Sequence, residues 1–300
     1  MQATPRHNSI PILFAIEHIR PMRGGSNSQL LRASDNNFYV VKFRNNCQHP
    51  RIPVNELIAA LLASHLGLPV PPFAFIDVCT ELIASSPGMV IRKGSRDEPC
   101  AAGLQFGSRM PTVKMPIYDF LPDPGISLTA NLTDFIGVLL FDQWTCNCDR
   151  RQVIFCRLNS RCHMRMYMID QGFCFNAGEW NFPDNHLRGI YDQTLVYTSV
   201  TGWNSFQPWL DRIEDMRYSE MDAAMDAIPD SWNKGISRYE IERLFQTLYT
   251  RRGIMRRLIL DMKAAGIFPN WGKPPEKISF DVYHKLGQID LTCSPSSAQN

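Results

Sequence analysis

The fold is decided by two segments, FYVVKF at residues 38–43 and NELIAALLASHLGLPVP at residues 55–71. The first is rich in β-branched and aromatic residues and predicts a strand. The second is rich in strong helix formers, stops at Gly67 and has Pro69 beyond, which predicts a helix over Asn55–Leu66. We therefore expect a strand followed closely by a helix that packs on the same sheet.

Each of these apolar segments contains one charged residue. Lys42 lies inside the strand, where an unpaired ammonium is unfavourable unless a carboxylate or a phosphate meets it. Glu56, near the start of the helix, is the natural partner. Plainer explanations exist, because a strand lysine can extend its ammonium to water and a first-turn glutamate favours the helix dipole. We expect Lys42 and Glu56 to approach within salt-bridge distance, in place or after a modest movement of the helix.

The remaining N-terminal segments are short, apolar and bounded by Gly, Pro, Ser and Asn. They predict an antiparallel sheet that accompanies the one helix. The strand candidates are Ile12–Ile19, Phe38–Phe43, Phe73–Val78, Gly88–Ile91 and Leu104–Phe106.

The C-terminal part is predicted to be mostly helical. Apolar residues run nearly all round the helical pattern of Leu132–Trp144, which indicates a helix buried in a core. Two strand-like segments follow, Gln152–Leu158 and Met164–Ile169. Further helices are predicted over Ser219–Ala227 and Arg238–Ala265.

Two aspartates stand where these elements end. Asp149 lies in FDQWTCNCDRRQVIF, between the buried helix and a strand, and Asp170 follows an apolar strand in MIDQGFCF. Two carboxylates delivered by neighbouring strands suit a general base and a magnesium ligand. The plainer explanation of Asp170 is that it caps a turn. The order of Lys42, Glu56, Asp149 and Asp170 is the order in which kinases carry the residues of phosphoryl transfer.

Together with MRGGSNSQLL at residues 22–31, these motifs resemble the HipA-like kinases, a bacterial branch with a protein-kinase-like fold. The resemblance covers roughly Ile19 to Leu260. It implies an α+β, two-lobed protein-kinase-like fold. The β-rich N-terminal lobe would span 1–107, the mostly helical C-terminal lobe 108–270, and a partly disordered tail 271–300.

The resemblance also implies that ATP and Mg2+ bind between the lobes. Lys42 would contact the α- and β-phosphates and pair with Glu56, Asp149 would be the base, and Asp170 would bind the metal. The phosphate loop would consist of Gly24, Gly25, Ser26 and Ser28, and the hinge that passes the adenine would consist of Gln105, Phe106 and Gly107.

The sequence departs from the kinase pattern in two places. Ile154 stands five residues after Asp149, where kinases place an asparagine on the second metal, and an isoleucine cannot coordinate a hard cation. Gln152 or Asn147 would then have to substitute for it. The chain also lacks the extra N-terminal subdomain of HipA, so a HipB-type antitoxin partner is not implied.

The function that the sequence favours is transfer of the ATP γ-phosphoryl group to Ser or Thr of a protein substrate. Because of Ile154, a nucleotide-binding pseudokinase or interaction module is an alternative. A kinase for a small molecule or a lipid is a second alternative, since no segment selects the substrate.

Composition and charge indicate which partners and which cellular compartment to expect. The net charge of +2 gives no basic field that would favour a nucleic-acid partner. The apolar runs are too short to span a membrane, and the N-terminus does not resemble a signal peptide. Nine scattered cysteines argue against a disulfide framework. We therefore expect a cytoplasmic protein with free thiols.

Overall fold

The computed structural model describes residues 10–112, 114–157, 159–160, 163–232 and 235–274. The strands are β1 (Ile12–Pro21), β2 (Gln29–Ala33), β3 (Phe38–Lys42), β4 (Phe73–Val78), β5 (Val90–Lys93), β6 (Arg96–Pro99), β7 (Gly103–Arg109), β8 (Ile117–Tyr118), β9 (Gln152–Cys156) and β10 (Arg165–Ile169). The helices are α1 (Ile52–His65), α2 (Thr80–Ser85), α3 (Asp123–Ser127), α4 (Asp134–Trp144), α5 (Trp209–Glu214), α6 (Tyr218–Asp226), α7 (Arg238–Arg251) and α8 (Met255–Ala264).

The N-terminal strands form a closed barrel in the order β1-β2-β3-β7-β4. All neighbours are antiparallel except β1 and β4, which pair in parallel and close the barrel. The interior is filled by alternate residues of β2, β3 and β4, including Leu31, Tyr39, Val41 and Ile76. The expected sheet is thus present, but the parallel closure and strand β2 were not predicted.

Helix α1 covers the outer face of β4 and β7. Phe75 and Phe106 on those strands belong to the same buried cluster as Leu57 and Ile58 of the helix. The cluster continues into the helical part of the chain through α4, with Leu139 fully buried. Because α1 contacts strands on one side and helices on the other, it is buried along nearly its whole length.

The sheet of β8, β9 and β10 lies in the second part of the chain and has β9 at its centre. In the register of β9 and β10, Gln152 lies opposite Ile169 and Ile154 lies opposite Tyr167. The intervening residues, such as Val153 and Met168, are buried in the core. Side chains alternate across a strand, so Gln152, Ile154 and Ile169 share the face that points away from this core.

The structure departs from several of the sequence predictions. The N-terminal part was predicted to contain one helix, but α2 is a second, and the strand predicted at Gly88–Ile91 overlaps β5, which pairs with β6 in a separate two-stranded sheet. The boundary predicted at Gly107 falls inside β7, which runs on to Arg109. The single helix predicted over Arg238–Ala265 is two helices, because a 3-10 turn over Arg252–Ile254 separates α7 from α8.

A further departure concerns the start of the predicted tail. Trp271 packs edge-on against Trp203 and also contacts Phe268, so this residue belongs to the folded part of the chain. The rest of the tail prediction, from residue 275 onward, lies outside the described residues. Within the described ranges, no helix is long and apolar enough to cross a membrane.

Candidate active site

The centre of the site is a buried lysine that contacts two carboxylates. Lys42, the last residue of β3, donates hydrogen bonds from Nζ to Glu56 Oε1 of α1 and, over 2.5 Å, to Asp170 Oδ1 after β10. Lys42 is 7% exposed and Glu56 is 2% exposed. The predicted ion pair of Lys42 and Glu56 is therefore present, and Asp170 joins it. One ammonium and two carboxylates leave one formal negative charge in excess.

Burial and the neighbouring charges act in opposite directions on this centre. Burial lowers the pKa of Lys42, but the two carboxylates outweigh it and hold that pKa well above its usual value. Burial raises the pKa of Asp170, but the Lys42 ammonium outweighs it and holds the pKa below its usual range. For Glu56, burial prevails over the attraction of Lys42 and raises the pKa. Of these two carboxylates, Asp170 is thus the more firmly ionised.

The backbone after β10 brings Asp170 and α1 together. Asp170 has φ +59°, in the left-handed region that aspartate tolerates better than most residues. Two residues on, a Cβ at Gly172 would lie 2.7 Å from Ile52 Cγ2 and 3.1 Å from Glu56 Oε1. Only glycine permits so close an approach, and Glu56 accepts a further hydrogen bond from the Gln171 N–H.

The segment that carries Asp149 is held by Asn147. Asn147 is buried, donates from Nδ2 to Asp142 Oδ1 over 3.0 Å, and accepts at Oδ1 from the Asp149 N–H over 3.2 Å. Both ends of the amide are therefore engaged, one with α4 and one within the loop. Asn147 orients the loop, and its predicted role as a metal ligand does not fit this geometry.

A second ion pair, not predicted from the sequence, joins the two aspartate segments. Arg151 donates two hydrogen bonds to Asp142, one of them from Nε to Oδ2 over 2.8 Å, and a third from Nη1 to Ile169 O over 2.8 Å. Arg151 is 3% exposed and Asp142 is fully buried. The pair thus ties the segment after Asp149 to the residue just before Asp170. The only signal in the sequence is the charge of Asp142 inside an apolar helix.

The predicted phosphate loop is the turn between β1 and β2. Gly24 has φ +118°, which requires glycine, and the Met22 N–H donates to Ser28 O over 2.8 Å to close the turn. The Ser26 and Ser28 hydroxyls lie 2.9 Å apart. The Cys47 thiol donates to Gly25 O over 3.1 Å. Because Cys47 follows β3 closely, the loop is attached at the end of β3 that carries Lys42.

The predicted hinge does not fit the geometry. Gln105, Phe106 and Gly107 lie within β7, which pairs with β3 on one side and β4 on the other. Their main-chain groups are used in these ladders, as expected for a central strand. The Gln105 side chain is also engaged, since it accepts from the Arg44 N–H over 2.8 Å. The Met110 N–H still donates to Phe38 O over 2.8 Å, so a segment with free main-chain groups can begin only after this N–H.

Comparison with protein families agrees with the arrangement of Lys42, Glu56 and Asp170 described above. The HipA-like kinase family model matches residues 15–256. The chain belongs to the HipA-like kinases. Among curated proteins, none matches the chain.

The fold of this HipA-like kinase is similar to that of solved kinase structures. A crystal structure of the Golgi casein kinase aligns with TM-score 0.50 and 12% identity over 85% of this chain and 74% of that chain. The Helicobacter pylori proinflammatory kinase CtkA aligns with TM-score 0.50 and 15% identity over 86% of this chain and 97% of that one. At such low identity the likeness shows a kinase-like fold alone.

The position of Gln152 distinguishes it from Asn147. Gln152 begins β9, is exposed, and lies opposite Ile169, next to Asp170 along the chain. Ile154 is half-buried and shares this face of the sheet. In this HipA-like kinase Gln152 is therefore the better placed of the two predicted substitutes for the missing asparagine.

Proposed function

We propose that this HipA-like kinase binds ATP between a β-rich lobe and a helical lobe and transfers the γ-phosphoryl group to Ser or Thr of a protein. The observation that carries the proposal is the contact of buried Lys42 with both Glu56 and Asp170. A lysine held in this way is oriented toward phosphate groups, and the excess negative charge favours a cation beside it.

The donor groups around Asp170 suit Mg2+. The Asp170 side chain is 26% exposed, and its lowered pKa keeps it ionised, so it offers carboxylate oxygen to a metal. The exposed Gln152 amide offers a second hard oxygen from the adjacent strand. Mg2+ bound there would neutralise charge on the phosphates. Asp170 and Gln152 are the residues that would hold it.

Apolar residues are available for the nucleotide base. Leu30 and Val40 are paired across β2 and β3, while the residues next to them, Leu31 and Val41, fill the barrel interior. Leu30 and Val40 therefore lie on the outer face of the barrel, which they share with Lys42. We propose that they cover one side of the base and that Ile154 on β9 covers the other. On this proposal Ile154 contacts the nucleotide base and Gln152 binds the metal.

The chemical step uses residues that the loop network orients. The acceptor hydroxyl oxygen bonds to the γ-phosphorus while the bond from that phosphorus to the β–γ bridging oxygen breaks, and ADP leaves. The hydroxyl proton passes to the carboxylate of Asp149. Asn147 accepts a hydrogen bond from the backbone N–H of Asp149 and so orients the segment that carries this carboxylate. Lys42 holds the phosphates, and its bond to Glu56 fixes its direction.

A pseudokinase is the competing function, favoured by the presence of Ile154 at the position of the usual asparagine. The exposure of Gln152 on the same face weakens that alternative. A small-molecule or lipid acceptor fits the same centre, because the centre recognises the nucleotide rather than the acceptor.

The test measures ATP binding and phosphoryl transfer in the same protein. Wild-type protein should be stabilised by ATP with Mg2+ and should transfer 32P from γ-labelled ATP to itself or to proteins of a cell extract. Lys42→Met should lose transfer by at least about a hundredfold, as removal of a group that stabilises transition-state charge does. Lys93→Met, which changes an exposed lysine paired with Glu98, is the matched control and should retain transfer.

Two results separate the competing functions. ATP binding without transfer, across a magnesium titration and a broad panel of protein, lipid and small-molecule acceptors, would establish the pseudokinase. Transfer by Lys42→Met at the wild-type rate would refute the proposed site.

A further inference from the structure

A buried asparagine beside Glu56 contacts the segment that follows Asp170. Asn55 is fully buried in α1. Its Nδ2 lies within hydrogen-bond distance of three carbonyl oxygens, at 2.8 Å from Gly172 O, 3.2 Å from Cys174 O and 2.8 Å from Ala177 O. Its Oδ1 accepts from Trp180 Nε1 over 2.8 Å. One side chain thus holds a segment that is more than a hundred residues away in the sequence.

The held segment needs such external partners. It contains no regular helix or strand, and four of its non-glycine residues, Phe175, Asn176, Ala177 and Trp180, have φ between +50° and +61°. Left-handed backbone is unfavourable for Phe, Ala and Trp and persists only where surrounding contacts impose it. Of the carbonyl groups that Asn55 binds, Ala177 O lies inside this strained region, and Gly172 O and Cys174 O lie just before it. Asn55 is therefore one of the contacts that impose the conformation.

Two neighbouring residues of α1 both hold the backbone that directly follows Asp170. Glu56 accepts from Lys42 and from the Gln171 N–H, immediately after Asp170. Asn55 holds the carbonyl groups from Gly172 onward. Because both residues are on one rigid helix, the position of the helix and the position of Asp170 are coupled.

The other end of the segment is also attached to α1. Arg51, just before the helix, donates from Nη1 to Gly178 O over 2.7 Å, and its guanidinium lies 4.3 Å from the centre of the Trp180 ring. Trp180 is thus held between Arg51 and Asn55. Its indole fixes the Asn55 amide with Oδ1 toward Trp180 and Nδ2 toward the carbonyl groups.

We propose that Asn55 is a positioning residue that sets the Asp170 carboxylate for the metal–nucleotide complex. The inference rests on the proposed kinase function and deepens it. Removal of a residue that orients a metal ligand typically weakens metal affinity by about 10- to 100-fold. The ATP affinity measured without Mg2+ should change little, because Asn55 does not line the phosphate loop or the outer face of β2 and β3.

The experiment compares Asn55→Ala with Asn131→Ala. Asn131 is the matched control, because it is also buried and its side chain also bonds main-chain groups. Its Oδ1 accepts from the Met166 N–H over 2.9 Å and its Nδ2 donates to Met166 O over 3.0 Å, at the start of β10 and not at the end that leads to Asp170. Melting temperatures measure the stability that each variant loses. Calorimetric titration with ATP, across a range of Mg2+ concentrations and in EDTA, measures the metal dependence.

Asn55→Ala should raise the Mg2+ concentration at half-maximal ATP binding by at least about tenfold. Asn131→Ala should leave it within about twofold of wild type at a similar loss of melting temperature. Trp180→Phe keeps a ring over Arg51 but loses the bond to Asn55 Oδ1, so it should shift the midpoint in the same direction by less. If Asn55→Ala does not fold, Trp180→Phe is compared with Asn131→Ala in its place.

Wild-type ATP binding that depends on Mg2+, with the same midpoint in Asn55→Ala and Trp180→Phe, overturns the positioning role and leaves the proposed function standing. Wild-type protein that binds no ATP in the presence of Mg2+ overturns both.

Discussion

Replacing Asp142 with asparagine should destabilise the protein strongly, although Asp142 does not touch the substrate. Asp142 and Arg151 form a buried, two-bonded ion pair whose side chains are 0% and 1% exposed. The substituted amide would keep the shape and could still bond Asn147, but it would leave the Arg151 guanidinium buried without a counter-charge. Removal of one member of such a pair destabilises proteins by about 3–5 kcal/mol.

The stranded arginine is the source of this loss. Burial raises the pKa of Asp142 although Arg151 and Asn147 oppose it, whereas at Arg151 burial is outweighed by the attraction of Asp142, which raises the pKa. The guanidinium therefore stays charged when Asp142 is replaced, and it then lacks its buried counter-charge. A double variant, Asp142→Leu with Arg151→Met, removes both charges and should recover most of the loss, because apolar replacements of buried pairs are often neutral or stabilising.

Urea unfolding followed by circular dichroism measures these differences. Glu242→Gln is the control, since Glu242 pairs with Arg238 on the surface, and exposed pairs contribute about 0–1 kcal/mol. A loss for Asp142→Asn of under about 1 kcal/mol, or a double variant no more stable than Asp142→Asn, would refute the reasoning. A folded Asp142→Asn protein should also transfer phosphate more slowly, because Arg151 links the segments of Asp149 and Asp170.

Two further predictions concern packing and thiol reactivity. Gly172→Ala places a Cβ 2.7 Å from Ile52 and should lower the free energy of unfolding by about 1–3 kcal/mol, the usual cost of overpacking. Gly202→Ala, in extended backbone with no atom within 4 Å of the added Cβ, should leave it unchanged, and equal stability of the two variants in urea unfolding would contradict the prediction. In iodoacetamide labelling at pH 8 followed by peptide mapping, exposed Cys79 should react first of the seven cysteines that the structure describes. Cys174 and Cys100 should react only after unfolding, because both are buried and burial raises the pKa of Cys100 to about 12; labelling of native Cys174 as fast as Cys79 would show that this core is open.

Local patterns predicted the elements well where one physical cause dominates. The short apolar segment over residues 73–78, which follows prolines, predicted β4 with its observed bounds. The charges of Lys42 and Glu56 inside apolar segments gave their ion pair, because few partners can satisfy a buried charge. Closure of the barrel by β1 and β4 had no such local signal, since register between distant strands depends on the whole sheet.

The errors in the site come from partners that are remote in the sequence. The segment of Gln105 was predicted to be a hinge because a short apolar strand does not reveal that both of its edges are paired. Asn147 has the chemistry of a metal ligand, but Asp142 and Asp149 engage its amide. Asn55 showed no signal beyond a polar residue in an apolar helix, because the carbonyl groups that it binds belong to another part of the chain.

The most direct test of the central claim is a comparison of Asp149→Ala with Asp170→Ala in two measurements, ATP affinity with Mg2+ and single-turnover transfer of the γ-phosphoryl group. A base acts on the acceptor hydroxyl in the transition state, whereas a metal ligand also holds the nucleotide in the ground state. Asp149→Ala should therefore lose transfer by at least about a hundredfold with ATP affinity near that of wild type. Asp170→Ala should lose both transfer and magnesium-dependent affinity. Transfer by Asp149→Ala at the wild-type rate, or ATP affinity in Asp170→Ala that is unchanged at every magnesium concentration, would contradict the account.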